Sequence, residues 1–598
     1  MNKPAGKLKD SRSNAAPLFS EITSVPEALA LTFEAGGVEL ALGICSGLTT
    51  PFFEALYAKT NIRTIQVRQE ILGALAGNAY GRLTAKPIVL SGEGEFILGT
   101  GTQGIIESLL GSTPMVILTE MFDGGKMSHH GAYHGGSGDL GGYDAVSAFK
   151  AICKKVFVSH SPEQLIQHAQ LALKHATSGE PGPVAVIMHS ASLEGVIGPD
   201  AFPRLYPTSG YVKEKSRAID ADAIATVAGV VAGAERPIII AGHGVRLSQA
   251  YEQLHDLSHT IGAPVVTTQG GKGVFDEKDS HGGGVFAEWG RESANALVGE
   301  ADVVIAVGTK LGPIDTLDQN PKLIDPARQT LIQIDISDVN AAWTFPIDHV
   351  LIGDAGVVME ALARACDGQA ARRSLSAPDR VRRAIDSFDL PEPEALRSEE
   401  WPMRPERLAR IIEQEWPEDG IIASDAGESR VHMLKWFNSR GGGRYVVPHG
   451  GGGMGYAIPG AFGAKMACPD KACLGVLGDG GFGMTMNVIM NGVQEGVGFG
   501  VVIFNNGALG WPLHVMRPEN QKHFEFYDFD HAAIARAMGA DGMKCRSIDD
   551  VRTALRAAAV SKVPYVIDVP ITIAATFAHS TNKLTFEPRK KPFGAKAE

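Results

Sequence analysis

Near the start of the last quarter of the chain, "LGDGGFGMTMNVIMNGVQEGVGFGVVIFNNGALG" (477–510) sets Asp479 in a glycine turn and ends a later β-branched run in Asn505-Asn506. One carboxylate and one amide oxygen are hard donors. They are too few to enclose a cation alone, which suits Mg²⁺ completed by water and the oxygens of a bound phosphate. The glycines beside Asp479 leave room for a phosphate to approach backbone N–H groups where a helix begins. A Gly-Asp-Gly turn also ends many strands with no ligand at all. The asparagine pair at the next strand end tips the reading toward a metal-bridged diphosphate.

Bringing the two together takes a βαβ unit. "KACLGVLGDG" reads as a strand, "MTMNVIMNGVQEG" as the crossover helix and "FGVVIFNNG" as the next strand, so both strand ends reach the same sheet edge. The same grammar recurs in "PIVLSGEGEFILGTGTQGIIESLLGSTPMVILTE" and "GPVAVIMHS". It returns in four apolar runs, "RPIIIAGHGV", "GAPVVTTQGGKG", "ADVVIAVGTKLG" and "QTLIQIDIS". The expectation is an α/β chain of three doubly wound parallel-sheet domains over residues 21–195, 215–370 and 395–570, with a tail at 571–598. The charged stretch from Cys366 to Pro402 reads as a helical linker.

Composition narrows the partners. A chain of 598 residues, 44% hydrophobic, exceeds what one core supports. Its net charge of −12 argues against nucleic-acid or anionic-membrane surfaces. No apolar run reaches the length of a membrane span, and the polar N-terminal residues lack a signal-peptide core, so a soluble, cytoplasmic protein is expected. The cysteines form no CxxC pair and stand near no histidine at zinc spacing, which predicts reduced thiols and neither disulfide nor zinc.

Gly478-Asp479-Gly480 followed by Asn505-Asn506 resembles the signature of the thiamine-diphosphate-dependent acetolactate synthase and pyruvate decarboxylase superfamily. The likeness covers nearly the whole chain. "VRQEILGALAGNAYGRLTAKP" is similar to the family's pyrimidine-binding domain, "GAPVVTTQGGKG" and "IQIDIS" to its middle domain, and "HGGGGMGYAIPGAFGAKMACPD" to its diphosphate domain. The resemblance implies Glu70 as the catalytic glutamate. It implies Asp479, Asn506 and the backbone carbonyl of Ala508 as Mg²⁺ ligands, with Gly480, Gly481, Glu428 and Ser429 near the diphosphate. Gly452 and Met454 would hold the aminopyrimidine, Met454 as the wedge that keeps the cofactor bent. It also implies a cofactor shared between subunits, hence a homo-oligomer with a dimer as minimum and a tetramer as the fuller assembly. "GTKLGPIDT" departs from the flavin-contacting pattern of the synthases, so FAD is not expected.

Such a cofactor needs a carboxyl at its pyrimidine ring so that the ring can remove the weakly acidic thiazolium proton. Glu70 would do this; read from its helical context alone, it is an ordinary glutamate on a solvated face. The loop "KMSHHGAYHGGSGDLGGYD" offers His129, His130 and His134 for proton transfer at the substrate, with a surface loop as the competing reading and no acid or Cys completing a metal set with them. Trp511 is a candidate pocket residue or a core aromatic. Glu428-Ser429 stands where relatives often carry Gln-His, Ala508 where synthases commonly have an acid and Val515 where they have Trp, so their substrate pocket is not reproduced. The expected function is a C–C bond lyase or carboligase acting on a 2-oxo acid or 2-hydroxy ketone. The alternatives are a 2-hydroxyacyl-CoA or oxalyl-CoA type of lyase or decarboxylase, with Lys583, Arg589, Lys590, Lys591 and Lys596 of the tail meeting CoA phosphates, and a non-catalytic nucleotide-binding or regulatory protein on the same fold.

Overall fold

The β-branched runs become three six-stranded sheets, parallel throughout, in a computed structural model that describes residues 16–123, 134–139, 142–212, 218–368, 374–389 and 394–581. The chain divides into two compact units, Met1–Lys215 and Ser216–Glu598. In the first, β1 (Thr23–Ser24) precedes β2 (Leu40–Gly43), β3 (Arg63–Gln66), β4 (Ile88–Ser91), β5 (Met115–Met121), β6 (Lys155–Ser159), β7 (Pro183–His189) and β8 (Val196–Ile197). The sheet order is β3-β2-β4-β5-β7-β6, while β1 and β8 form a small antiparallel pair. β5 is buried along its whole length, as expected of a central strand covered by helices on both faces. One face of this sheet packs Val89, Leu118 and Val186 against Phe33, Phe52 and Leu173 of the covering helices.

The second unit holds two sheets. β9 (Pro237–Ala241), β10 (Val265–Thr267), β11 (Gly282–Val285), β12 (Val303–Val307), β13 (Thr330–Asp335) and β14 (His349–Ile352) are ordered β11-β10-β9-β12-β13-β14. The sequence shows only four of these strands, because β11 is Gly-Gly-Gly-Val and scans as a turn, while β14 is a short edge with alternating exposure. The helix Ala377–Phe388, from the stretch expected to be linker, packs on the helix Glu292–Glu300. Its buried Arg380 donates to Glu300 at 3.0 Å and to the Pro237 carbonyl at 2.7 Å.

The third sheet, β15 (Ile421–Ser424), β16 (Tyr445–Val446), β17 (Cys473–Gly478), β18 (Gly500–Asn505), β19 (Asp541–Lys544) and β20 (Tyr565–Pro570), is ordered β16-β15-β17-β18-β20-β19. Its chain order across the sheet reverses between β15 and β17, the position at which open α/β sheets leave a crevice beyond the strand ends. Within this unit the loop after β10 docks on the third sheet's flank. Buried Lys272 pairs with Glu277 at 2.7 Å and donates to the Leu434 carbonyl, and Glu277 N–H donates to the Ser439 carbonyl at 2.9 Å.

Candidate active site

At the crevice of the third sheet, β17 and β18 run side by side with Gly478 opposite Phe504, so Asp479 and Asn506 leave the same edge. They meet at one amide: the Ala508 N–H lies 3.2 Å from Asp479 Oδ2 and 3.2 Å from Asn506 Oδ1. Asn505 turns away and donates to Asp568 at 2.8 Å. Of the asparagine pair, therefore, Asn506 carries the oxygen that faces Asp479's partner. Asp479 is buried, and its carboxyl is pushed up to about 6 by burial, against which the Gly480 and Gly507 amides pull. His531 pulls it down as well.

A second buried carboxylate ends β15. Asp425 accepts N–H groups from Ala426 (2.7 Å), Gly455 (3.0 Å) and Tyr456 (3.1 Å), and burial pushes its carboxyl up to about 6 as well. It anchors the loop that carries Gly452 and Met454. Gly452 and Gly455 adopt positive φ (+60° and +87°), a backbone that only glycine enters without strain. Gly481 cannot gain a side chain, since a Cβ there would stand 2.5 Å from Asp425 Oδ2. At Gly480 a Cβ would meet the Met454 methyl at 3.1 Å, so that methyl lies directly over the start of the helix Asp479–Thr485. The sequence reading missed Asp425, although "ASDAG" repeats the strand-Asp-Gly signal of "LGDGG".

Glu428 opens the helix Glu428–Trp436, and a Cβ on Gly510 would collide with its Oε2 and crowd the Asn506 amide. Its other oxygen accepts the Phe577 N–H at 3.2 Å and lies 2.5 Å from His514 Nδ1. His514 Nε2 donates to the Ile573 carbonyl at 2.8 Å, so that nitrogen carries hydrogen. The short contact at Nδ1 therefore needs one further proton, shared between carboxyl and ring. Burial raises the Glu428 carboxyl and His514 opposes that rise. No sequence signal pointed to His514, which lies far along the chain from its acid. Ser429 is buried and its hydroxyl has no partner among the described residues, which leaves a donor for a ligand. Trp511 is stacked on Phe577 (4.1 Å between ring centroids, 3°) and meets Trp289 edge-on at 5.5 Å, the packing of an aromatic wall.

In the first unit Glu70 begins the helix Glu70–Thr84 and is buried, so the solvated-face reading is excluded. Thr100 donates to its Oε2 at 2.7 Å from a π-turn, Ile97–Gly101, that bulges the helix toward it. The end of β5 adds Glu120, buried, bonded by Ser46 at 2.7 Å and pushed up to about 7, mostly by burial and further by Glu93. His134 sits against Glu93 and Glu95. The expectation that no acid completes a set with the histidine loop fails here, because the acids come from the turn after β4 rather than from the loop. His129, His130 and the basic tail from Lys583 lie outside the described residues.

In the second unit, the buried Asp479 carboxylate, the Asn506 amide oxygen beside it and the orphaned Ser429 hydroxyl fit a cation with an anionic phosphate ligand. Three domain models match in order: thiamine pyrophosphate enzyme N-terminal TPP binding domain at residues 23–134, central domain at 224–362 and C-terminal TPP binding domain at 425–569. A probable acetolactate synthase large subunit of Methanocaldococcus jannaschii is 28% identical over 562 residues, covering 91% of each chain. A sulfoacetaldehyde acetyltransferase of Alcaligenes xylosoxydans xylosoxydans is 27% identical, covering 89% of this chain and 90% of that one. Among solved structures, a thiamine diphosphate-dependent 4-hydroxybenzoylformate decarboxylase of Rhodococcus jostii RHA1 superposes with a TM-score of 0.76 at 18% identity, over 92% of this chain and 99% of that one, a likeness of fold. With all three models matched over more than half its length, the chain belongs to the thiamine pyrophosphate enzymes.

Proposed function

We propose that this enzyme is a Mg²⁺- and thiamine-diphosphate-dependent C–C bond lyase or carboligase acting on a 2-oxo acid or 2-hydroxy ketone. The observation that carries the reading is the convergence of Asp479 and Asn506 on one amide at the crevice of the third sheet. The relatives named acetolactate synthase and sulfoacetaldehyde acetyltransferase support the reaction class.

Bound there, thiamine diphosphate supplies a carbon nucleophile and an electron sink. Asp479, Asn506 and the Ala508 backbone would hold Mg²⁺, with the Gly480 and Gly481 amides and the Ser429 hydroxyl turned to phosphate oxygens. Met454 would press on the cofactor from its glycine loop, and Glu70, fixed by Thr100, would hold the proton exchanged with the pyrimidine. Candidates to move protons at the substrate are His134 in the first unit and, in the second, the Glu428–His514 couple. Loss of a limb from the pH profile of a His134→Ala variant, with cofactor affinity intact, would support that role; an unchanged profile would remove it. The same proposal includes a homodimer as the smallest active form.

The deciding experiment denatures purified protein, assays the supernatant for thiamine diphosphate, and screens the native enzyme against 2-oxo acids, 2-hydroxy ketones and 2-hydroxyacyl-CoA thioesters. Cofactor release together with turnover of free keto compounds is expected. Turnover confined to CoA thioesters would overturn the substrate class.

A further inference from the structure

A cluster in the middle sheet's flank has no part in the chemistry above. The helix Tyr251–Ile261 carries His255 and His259 one turn apart on one face, and Asp279, in the turn before β11, meets both. His255 Nε2 lies 3.7 Å from Asp279 Oδ2, and His259 Nε2 lies 3.4 Å from Asp279 Oδ1. Both separations exceed a good N–H···O bond, which ranges over about 2.7–3.2 Å. They match instead the edge of a tetrahedron around a metal: ligand bonds of about 2.0–2.2 Å place neighbouring donor atoms ~3.4 Å apart. All three donor atoms lie within 4.8 Å of one another.

Further contacts surround the three side chains. His255 Nδ1 faces Asp256 Oδ1 at 3.4 Å, and Nε2 is the nitrogen turned to Asp279. The His259 ring is sandwiched between His255 (4.2 Å between centroids) and His281 (4.0 Å, 12°). His281 is itself fixed by Ser258 at 2.9 Å. Asp279 is oriented by the backbone N–H of His281, which donates to Oδ1 at 2.8 Å, while Oδ2 faces His255. Two imidazoles and one carboxylate suit a borderline dication such as Zn²⁺ or Co²⁺ better than Mg²⁺, and three protein ligands leave a fourth position for water.

We propose that His255, His259 and Asp279 form a site for a Zn²⁺-class dication that fastens the loop after β10 to its helix. That loop is the one whose Glu277 holds Lys272 and the Ser439 carbonyl, and whose Asp276 bridges Arg440 next to the third sheet. The site thus joins the middle sheet's helix to the contact with the diphosphate-binding sheet. The cysteine-based expectation of no zinc does not bear on it, since no thiol takes part.

The test uses full-length protein saturated with thiamine diphosphate and excess Mg²⁺, so that the Asp479 site is filled, and titrates Co²⁺ as the probe. One equivalent should bind, with the intense visible bands of a low-coordinate nitrogen site, and Zn²⁺ should displace it. His255→Ala, at an exposed position, and Asp279→Asn, which keeps an acceptor for the His281 N–H, should each weaken binding at least tenfold. Zn²⁺ should slow amide exchange at residues 276–278 in the parent protein and not in the variants. Equal Co²⁺ affinity in parent and both variants would overturn the site. Exchange at 276–278 indifferent to Zn²⁺ would overturn the fastening.

Discussion

The first and third sheets have the same strand order, β3-β2-β4-β5-β7-β6 and β16-β15-β17-β18-β20-β19, yet their edges carry different chemistry. After its third strand the first sheet places Gly92-Glu93-Gly94, and the third places Asp479-Gly480-Gly481; after the fourth, the first has Phe122-Asp123 and the third Asn506-Gly507. In the third sheet, carboxylate and amide both face the Ala508 N–H. In the first, Glu120 is bonded by Ser46, and Asp123 accepts the Gly136 and Ser137 amides, so the acids are spent on local structure or held ready to take a proton. Topology decides where side chains collect, namely at strand ends beside the reversal in order, and residue type decides what collects there. The middle sheet, ordered β11-β10-β9-β12-β13-β14, shares neither edge and carries its own cluster on a helix flank.

The comparison breaks first at Asp479. Asp479→Ala removes one of two protein side-chain oxygens from the proposed metal, and retention of thiamine diphosphate through gel filtration in Mg²⁺ should be abolished. Asp123→Asn, at the corresponding edge of the first sheet, should retain the cofactor. Equal retention in both variants would mean that the two edges are not specialised as described.

Glu70→Gln comes next. The amide can still hold the Thr100 hydroxyl, so cofactor binding should persist while turnover falls by about 10²–10³-fold, the scale of a lost proton-transfer group. Near-parental turnover would remove Glu70 from the mechanism.

The elements were legible wherever β-branched runs met glycine turns, and so were the strand ends that carry Asp479 and Asn505-Asn506, whereas Glu70 was singled out only by the family resemblance. What escaped were partners from distant segments. His514 reaches Glu428 across 86 positions, and Glu93 with Glu95 reach His134 from another turn. Glu70's burial was equally hidden, since a helical period shows which face is apolar but not that a π-turn from a neighbouring helix covers the first turn. β11 escaped because glycines that pack close to neighbouring strands look like a loop when read in line.

A smaller effect should appear in stability. Glu120 has its carboxyl raised from 4.5 to about 7 in the folded protein. Between those values the native state binds more protons than the unfolded chain, so stability falls as pH rises through the window and levels off above it. The shift corresponds to on the order of 3 kcal/mol. Denaturant midpoints from pH 4.5 to 7.5 should therefore decline more steeply in the parent than in Glu120→Gln, whose side chain stays neutral throughout. Parallel curves would show that Glu120 is ionised at no cost and that the first sheet's edge is not a proton-holding one.

The smallest effect concerns the Glu428–His514 couple beside Asn506. Its geometry requires a shared proton, because His514 Nε2–H is committed to the Ile573 carbonyl while Nδ1 lies 2.5 Å from the carboxyl. Glu428→Gln keeps the size of the side chain and can still donate to Nδ1, so folding and cofactor retention should be preserved. What it removes is the proton that moves between acid and ring. If the couple serves proton transfer at the substrate, kcat should fall about tenfold, less than the full range for general acid–base groups because water can substitute, and the pH profile should lose one limb. Two sheets of one topology would then divide their labour further, with proton storage on both edges and metal binding on one. A Gln variant with parental kcat and an unaltered profile would instead make Glu428–His514 a packing pair that closes the helix end over Gly510.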